Sequence, residues 1–211
     1  MLPFVIRYSL TRKTSEETLK TYSMIAKESP LQGMNIGTIT NVAIRELPGL
    51  YTIDLRLAPG TSSQVAVEEA LSVHLPVKTG QMLMASISSA SEPYALCLAP
   101  DWWLLVGFPE AEQILAPLRL EDDYHFSVVD VCGQRTAIEL EGPKVRELLA
   151  HLWDQDLREK NFPIASVSQG LMAKSPVIVY YIAPFRYRIM VRSSFALHLW
   201  KALVDAAEEL M

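Results

Sequence analysis

Two cysteines, four histidines and nine glycines are a thin stock for metal, disulfide or nucleotide chemistry in a chain of 211 residues. Cys97 and Cys132 stand in separate apolar, strand-like runs without CxxC or paired-histidine spacing, and so read as small buried hydrophobes in a reducing compartment. His74, His125, His151 and His198 are scattered, which leaves no ligand spacing for a metal. The one close glycine pair, Gly33 and Gly37, precedes any strong strand and lacks a following Lys-Ser/Thr. A P-loop or dinucleotide turn is therefore not expected. No basic run exceeds Arg12-Lys13 and the formal charge is −5, so a phosphate-tracking surface for nucleic acid is not expected. No 18-residue apolar stretch exists, and Met1–Ile6 is too short and too soon interrupted by Arg7, Arg12 and Lys13 for a signal sequence. No membrane association and a cytoplasmic location are expected.

What is present is the composition of an ordinary folded domain, with half the residues apolar and a fifth charged. Residues 1–28 are charge-rich, with a helix start at Thr14-Ser15-Glu16-Glu17, and read as an N-terminal arm. Alternating apolar residues from Thr38 to Leu55, broken by Pro48-Gly49, predict an antiparallel hairpin. A helix follows, with Ser62 or Ser63 as its cap, then strands Tyr94–Leu98 and Trp102–Val106, then a helix from Pro109 to about Leu118. The second half repeats the order. Strands Val128–Val131 and Arg135–Leu140 lead to a helix Val145–Leu152 opened by Pro143, and strands Val177–Ile182 and Tyr187–Val191 lead to a helix from Ser193 or Ser194 to Leu210. Ile53-Asp54-Leu55 recurs as Ile138-Glu139-Leu140, and Val106 with Ala111, Leu115 and Leu118 as Val191 with Ala196, Trp200 and Leu203, at one constant offset. The expected fold is therefore α+β: two similar strand-strand-helix-strand-strand-helix units, 29–123 and 124–211, whose antiparallel or mixed sheets are covered by helices.

Candidate chemistry is sparse. Asp130 and Cys132 flank a strand end that His125 or His151 could approach, but alternation gives Cys132 apolar neighbours, and an unactivated thiol is a poor nucleophile. No catalytic, cofactor-binding or metal-binding residue is assigned. Arg186 and Arg188 share one strand face, with Arg192 beyond them, and fit a substrate anion, a salt-bridged subunit contact or plain surface charge. Trp102 and Trp103 must point to opposite faces, so one of them is an interface anchor or a half-buried residue between the halves. Trp102, Trp103, Arg186, Arg188 and Arg192 are the candidate subunit-contact residues.

A longer pattern adds to this. Val129-Asp130-Val131-Cys132-Gly133-Gln134-Arg135 and Glu139-Leu140-Glu141-Gly142-Pro143-Lys144-Val145-Arg146-Glu147-Leu148-Leu149, then Asp156-Leu157, Phe162-Pro163 and Val191-Arg192-Ser193-Ser194-Phe195-Ala196, resemble the gamma subunit family of heterotetrameric sarcosine oxidase. Ala99-Pro100-Asp101-Trp102-Trp103-Leu104-Leu105 resembles the family's Gly-Pro-Asp-x-Trp-Leu-Leu segment, and Ser29-Pro30-Leu31 its beginning. Cys132 departs from the family's frequent Ser, and the arm is extra. The resemblance implies a fold akin to the folate-binding domains of glycine-cleavage aminomethyltransferase. It also implies a non-catalytic gamma subunit beside an alpha-type subunit, with beta and delta subunits completing the complex. Sarcosine would be oxidatively demethylated to glycine by those partners, which would carry FAD, FMN, NAD and tetrahydrofolate. The alternative is a stand-alone folate-binding protein of the aminomethyltransferase type, with Asp101 or Asp130 as the acid facing the pterin.

Overall fold

The computed structural model describes residues 28–38, 40–84, 93–120 and 123–210. The helix start expected at Thr14–Glu17 lies outside them. In chain order the elements are β1 (Asn35–Gly37), β2 (Ala43–Leu47), β3 (Thr52–Leu57), α1 (Ser62–Leu71), β4 (Met82–Met84), β5 (Tyr94–Ala99), β6 (Trp102–Val106) and α2 (Ala111–Leu115). There follow β7 (Phe126–Asp130), β8 (Arg135–Glu141), α3 (Val145–Leu152), β9 (Val167–Met172), β10 (Ser175–Ala183), β11 (Arg186–Arg192) and α4 (Ala196–Glu208).

The strands form two antiparallel sheets, one in the order β1-β2-β8-β11-β10-β9 and the other β4-β5-β6-β3-β7. The internal repeat becomes visible in these orders, because β4-β5-β6-β3 matches β9-β10-β11-β8 strand for strand. Next to β3 comes β7, and next to β8 comes β2, so each half lends the strand ahead of its central strand to the other's sheet. This corrects the expected hairpin. Pro48-Gly49 carries the chain from one sheet to the other, and β2 pairs with β8 while β3 pairs with β6 and β7. Alternation marks a half-buried strand but is blind to which neighbour it pairs with.

The sheets face each other and helices cover the outer faces. Val145, Leu148 and Leu149 of α3 and Leu199, Trp200 and Leu203 of α4 pack on Ile44, Ile138, Leu140 and Ile189 of the six-stranded sheet. Val67 and Leu71 of α1 and Ala111 and Leu115 of α2 pack on Ile53, Leu55, Trp103 and Leu105 of the other. Between the sheets Leu96, Leu104 and Val106 meet Ile178, Tyr180, Ile182 and Met190. A strand covered on both faces needs apolar residues at every position. That is why β5, β6 and the middle of β10 read as continuous apolar runs.

Local chemistry sets the boundaries. Pro117 has no amide hydrogen with which to continue α2, so the segment expected to run as one helix to Leu118 breaks into α2 and a 3-10 turn, Pro117–Leu120. At Gly37, φ is +77° and a Cβ would overlap the Val42 carbonyl, so the β1–β2 turn admits no side chain there. One pair of sheet edges is stitched: the Met82 N–H donates to the Ala165 carbonyl at 2.8 Å, and the Val167 N–H to the Gly80 carbonyl at 2.9 Å. The segment Ser29-Pro30-Leu31 is pinned by the fully buried Leu31 and by the Ser29 hydroxyl bonding Glu46.

Candidate functional site

Alternation along β8 sends Ile138 and Leu140 to the helices and turns Ala137, Glu139 and Glu141 towards the second sheet. A carboxylate is thereby forced between two sheets, and Glu139 is 0% exposed. The register supplies what it needs. Arg45 of β2 and Arg188 of β11 stand directly opposite Glu139 on either side, and Tyr180 of β10 stands opposite Arg188. The Arg188 Nε donates to Glu139 Oε2 at 2.8 Å, while the Arg45 Nε at 2.9 Å and the Arg186 Nη2 at 3.1 Å donate to Oε1. The Arg45 Nη2 also bonds Glu141 at 3.0 Å.

The row reaches the second sheet through Tyr94 of β5. Its hydroxyl shares a 2.6 Å hydrogen bond with that of Tyr180 and accepts from the Arg188 Nη1 at 3.4 Å. Burial works to raise the Glu139 carboxyl, but hydrogen bonds from Arg188, Arg45 and Arg186 outweigh it and hold the group below the usual glutamate value. Burial opposes charge on Arg188, yet the two tyrosines and Glu139 around it leave its pKa raised. Burial likewise pushes the Tyr94 and Tyr180 hydroxyls up. At neutral pH the centre of the row therefore holds an ionised Glu139 ringed by donors, a charged Arg188 and the neutral phenols of Tyr94 and Tyr180. Such groups are arranged to bind the sheets together; none is poised to exchange a proton.

The sign of the acid response follows. A carboxyl depressed in the folded state contributes stability that is complete above its unfolded pKa, near 4.3, and is lost as pH falls towards the folded value. The melting temperature is expected to drop on acidification below about pH 4.3, and Glu139→Gln, though less stable at pH 7, should show a shallower drop. Thermal melts of both proteins between pH 3 and 7 check this; parallel curves would contradict it.

The expected contact residues are split by the fold. Trp102 and Trp103 do face opposite ways. Trp103 is 1% exposed beneath α1 and α2, with its indole N–H donating to the Pro76 carbonyl at 3.0 Å, whereas Trp102 is half-buried at the inter-sheet layer under the Arg56 guanidinium, 4.3 Å away. Arg188 is enclosed on Glu139, Arg186 bonds the same carboxylate from a half-buried position, and Arg192 is exposed. Trp102, Arg186 and Arg192 are thus the ones that reach the surface. Ser193, one of the two residues expected to open the last helix, does not cap it. Its hydroxyl donates instead to the Gly133 carbonyl at 2.7 Å, and α4 starts without a side-chain cap.

An open cleft of about 460 Å³ lies beside the row, between the Leu47–Tyr51 turn and Gly107 and Pro109, with Arg188 behind it. Asp101, in the β5–β6 turn, and Asp130, at the end of β7, are both exposed and do not line it. Neither lies where an acid would face a pterin held there. Glu139, which sequence reasoning did not single out as a site residue, is fully engaged by arginines. Its signal was an acid flanked by Ile138 and Leu140 inside a strand buried on both faces. Cys132 is knit to β3, its Sγ accepting from the Thr52 N–H at 3.3 Å, and its own N–H donates to Asp130 Oδ1 at 2.7 Å. Burial pushes the Cys97 thiol up. Among the described residues no group of three His, Cys, Asp or Glu could hold a metal ion, and no helix is long and apolar enough to cross a membrane.

The model of the sarcosine oxidase gamma subunit family matches residues 58–209. The chain belongs to that family. A sarcosine oxidase subunit gamma from Corynebacterium sp. (strain P-1) is 28% identical over 183 residues, 86% of each chain. One from Arthrobacter sp. is 27% identical over 186 residues, again 86% of each. A chain of the heterotetrameric sarcosine oxidase from Corynebacterium sp. U-96 superimposes with a TM-score of 0.77 at 25% identity, covering 87% of this chain and 95% of that one. The glycine cleavage system aminomethyltransferase T from Bartonella henselae shares the fold, with a TM-score of 0.57 at 14% identity over 84% of this chain and 57% of that one. The expected α+β architecture and its kinship with the aminomethyltransferase fold both hold for this member of the gamma family.

Proposed function

We propose that this chain is the non-catalytic gamma-type subunit of a heterotetrameric sarcosine oxidase-like complex of the cytoplasm. The observation that carries the reading is the superposition on nearly the whole of one chain of such a complex. The saturated state of the buried row supports it. The most elaborate polar arrangement among the described residues ties strands of the six-stranded sheet to one another and, through Tyr94, to the other sheet, and a subunit whose work is contact needs rigidity of that kind. In this reading the oxidative demethylation of sarcosine to glycine, and the FAD, FMN, NAD and tetrahydrofolate that serve it, belong to the alpha-, beta- and delta-type partners. The chain's own units, 29–123 and 124–211 behind the arm 1–28, supply shape and area, with Trp102, Arg186 and Arg192 at the contact surface.

The test is assembly. Co-expressed with those three partners, the tagged chain is expected to co-elute with them on size exclusion at fixed stoichiometry, and omitting it should lower the yield of soluble oxidase. Elution of the chain apart from its partners, with undiminished oxidase yield, would refute the proposal.

A further inference from the structure

The buried row balances three arginines against Glu139 and Glu141, whereas a second arginine group on the same side of the sheets is left unbalanced. Arg135 of β8 and Arg192 of β11 are direct cross-strand partners, and by alternation both point away from the α3–α4 face. Like charges placed opposite each other in a sheet repel. Arg135 is half-buried, and burial together with the Arg192 charge lowers its pKa, with Asp54 opposing. Arg56 of β3 joins the same corner, bonding Asp54 at 3.4 Å and lying over the ring of Trp102. Two guanidiniums, Arg56 and Arg135, thus share the influence of one carboxylate while Arg192 faces Arg135, on a chain whose formal charge is −5. Beside them stands Val129 of β7, 47% exposed and directly opposite Asp54 in register. Among the described residues the buried indole N–H of Trp102 has no acceptor.

We propose that this corner, built from Arg56, Arg135, Arg192, Trp102 and Val129, docks an acidic segment of a partner subunit, whose carboxylates bridge Arg135 and Arg192 while an apolar side chain covers Val129 and the Trp102 edge. Charge complementarity is the argument for this occupant. Guanidinium forks take carboxylates in two-pronged fashion, and a carboxylate between two facing arginines converts their repulsion into attraction. Arginine and tryptophan are also the residues that concentrate at the centres of protein interfaces. The inference rests on the subunit reading above and adds the surface and the chemistry of its partner.

The experiment measures the affinity of the purified full-length chain for the complex of its three partners, at several salt concentrations. Arg192→Glu, at an exposed site, is expected to weaken binding about tenfold or more at low salt, and wild-type affinity should fall steeply as salt rises. Lys201→Glu, on the exposed side of α4, should bind like wild type. Binding of Arg192→Glu within twofold of wild type, or wild-type affinity independent of salt, overturns the docking inference while leaving the subunit reading in place. Failure of the wild-type chain to bind its partners at all overturns the subunit reading itself. Should Arg192→Glu melt well below wild type, Arg192→Gln and the wild-type salt dependence decide the matter.

Discussion

Glu139→Ala is expected to remove about 3–5 kcal/mol of folding stability, because it leaves Arg188 buried without its central counter-charge and Arg45 and Arg186 with one shared acceptor fewer. A domain is held by only about 5–15 kcal/mol in total, so the variant should approach the limit of foldability. The loss belongs to the unpaired cation as much as to the missing bond. A double replacement, Glu139→Leu with Arg188→Met, should therefore recover most of the stability that the single change removes. Urea unfolding of wild type, Glu139→Leu, Arg188→Met and the double variant forms the required cycle. A double variant as unstable as the sum of the singles would show that the pair acts through something other than mutual compensation. Arg188 also bonds Tyr94 on the opposite sheet, so each single variant should loosen the packing of the two sheets as well as lower the unfolding midpoint.

Trp103→Ala is expected to cost a similar amount, about 3–5 kcal/mol, through the cavity it leaves between β6 and the helices α1 and α2. Its indole also bonds the Pro76 carbonyl at 3.0 Å, holding the segment after α1 against the sheet. Trp103→Phe keeps much of the volume and forfeits that bond, so it should lose distinctly less. Denaturant midpoints separate the two. Equal losses would mean that the hydrogen bond, rather than packing, dominates at this site. Trp102, half-buried at the inter-sheet layer, should tolerate truncation better in the isolated chain and reveal its cost in assembly.

The sequence carried most of the element pattern and little of its pairing. Val145–Leu152 could be read with its observed bounds because Pro143 sits just ahead and the apolar spacing is helical, and Trp102–Val106 because every position is apolar. The short strands β1, β4 and β9 escaped, being three residues long or broken by Ser168, Gln169 and Gly170. The exchange of β2 and β7 between sheets was illegible, since a strand's alternation is the same whichever neighbour it pairs with. The internal repeat was visible in Ile53-Asp54-Leu55 and Ile138-Glu139-Leu140, yet those two acids meet different fates. Asp54 lies at the partly open corner beside Arg56, while Glu139 is sealed between the sheets. That difference depends on which strands cover them. The face shared by Arg186 and Arg188 could be read from spacing; that both would converge on Glu139 required knowing that β8 lies beside β11.

Several residues of the family pattern acquire physical reasons here. Arg146, in the run that opens α3, donates to the Tyr187 hydroxyl at 2.8 Å and lies over Tyr181, whose ring stacks on that of Tyr187 at 4.2 Å. It fastens the helix to the sheet. Gly133 offers its carbonyl to Ser193, tying the β7–β8 turn to the start of the last helical segment.

Oxidation of sarcosine should be followed, as hydrogen peroxide released, for the purified chain alone with added FAD, FMN, NAD and tetrahydrofolate, for its partners alone, and for the assembled complex. No turnover by the single chain, with activity confined to preparations containing the partners, is the expected result; sustained oxidation by the single chain would contradict it.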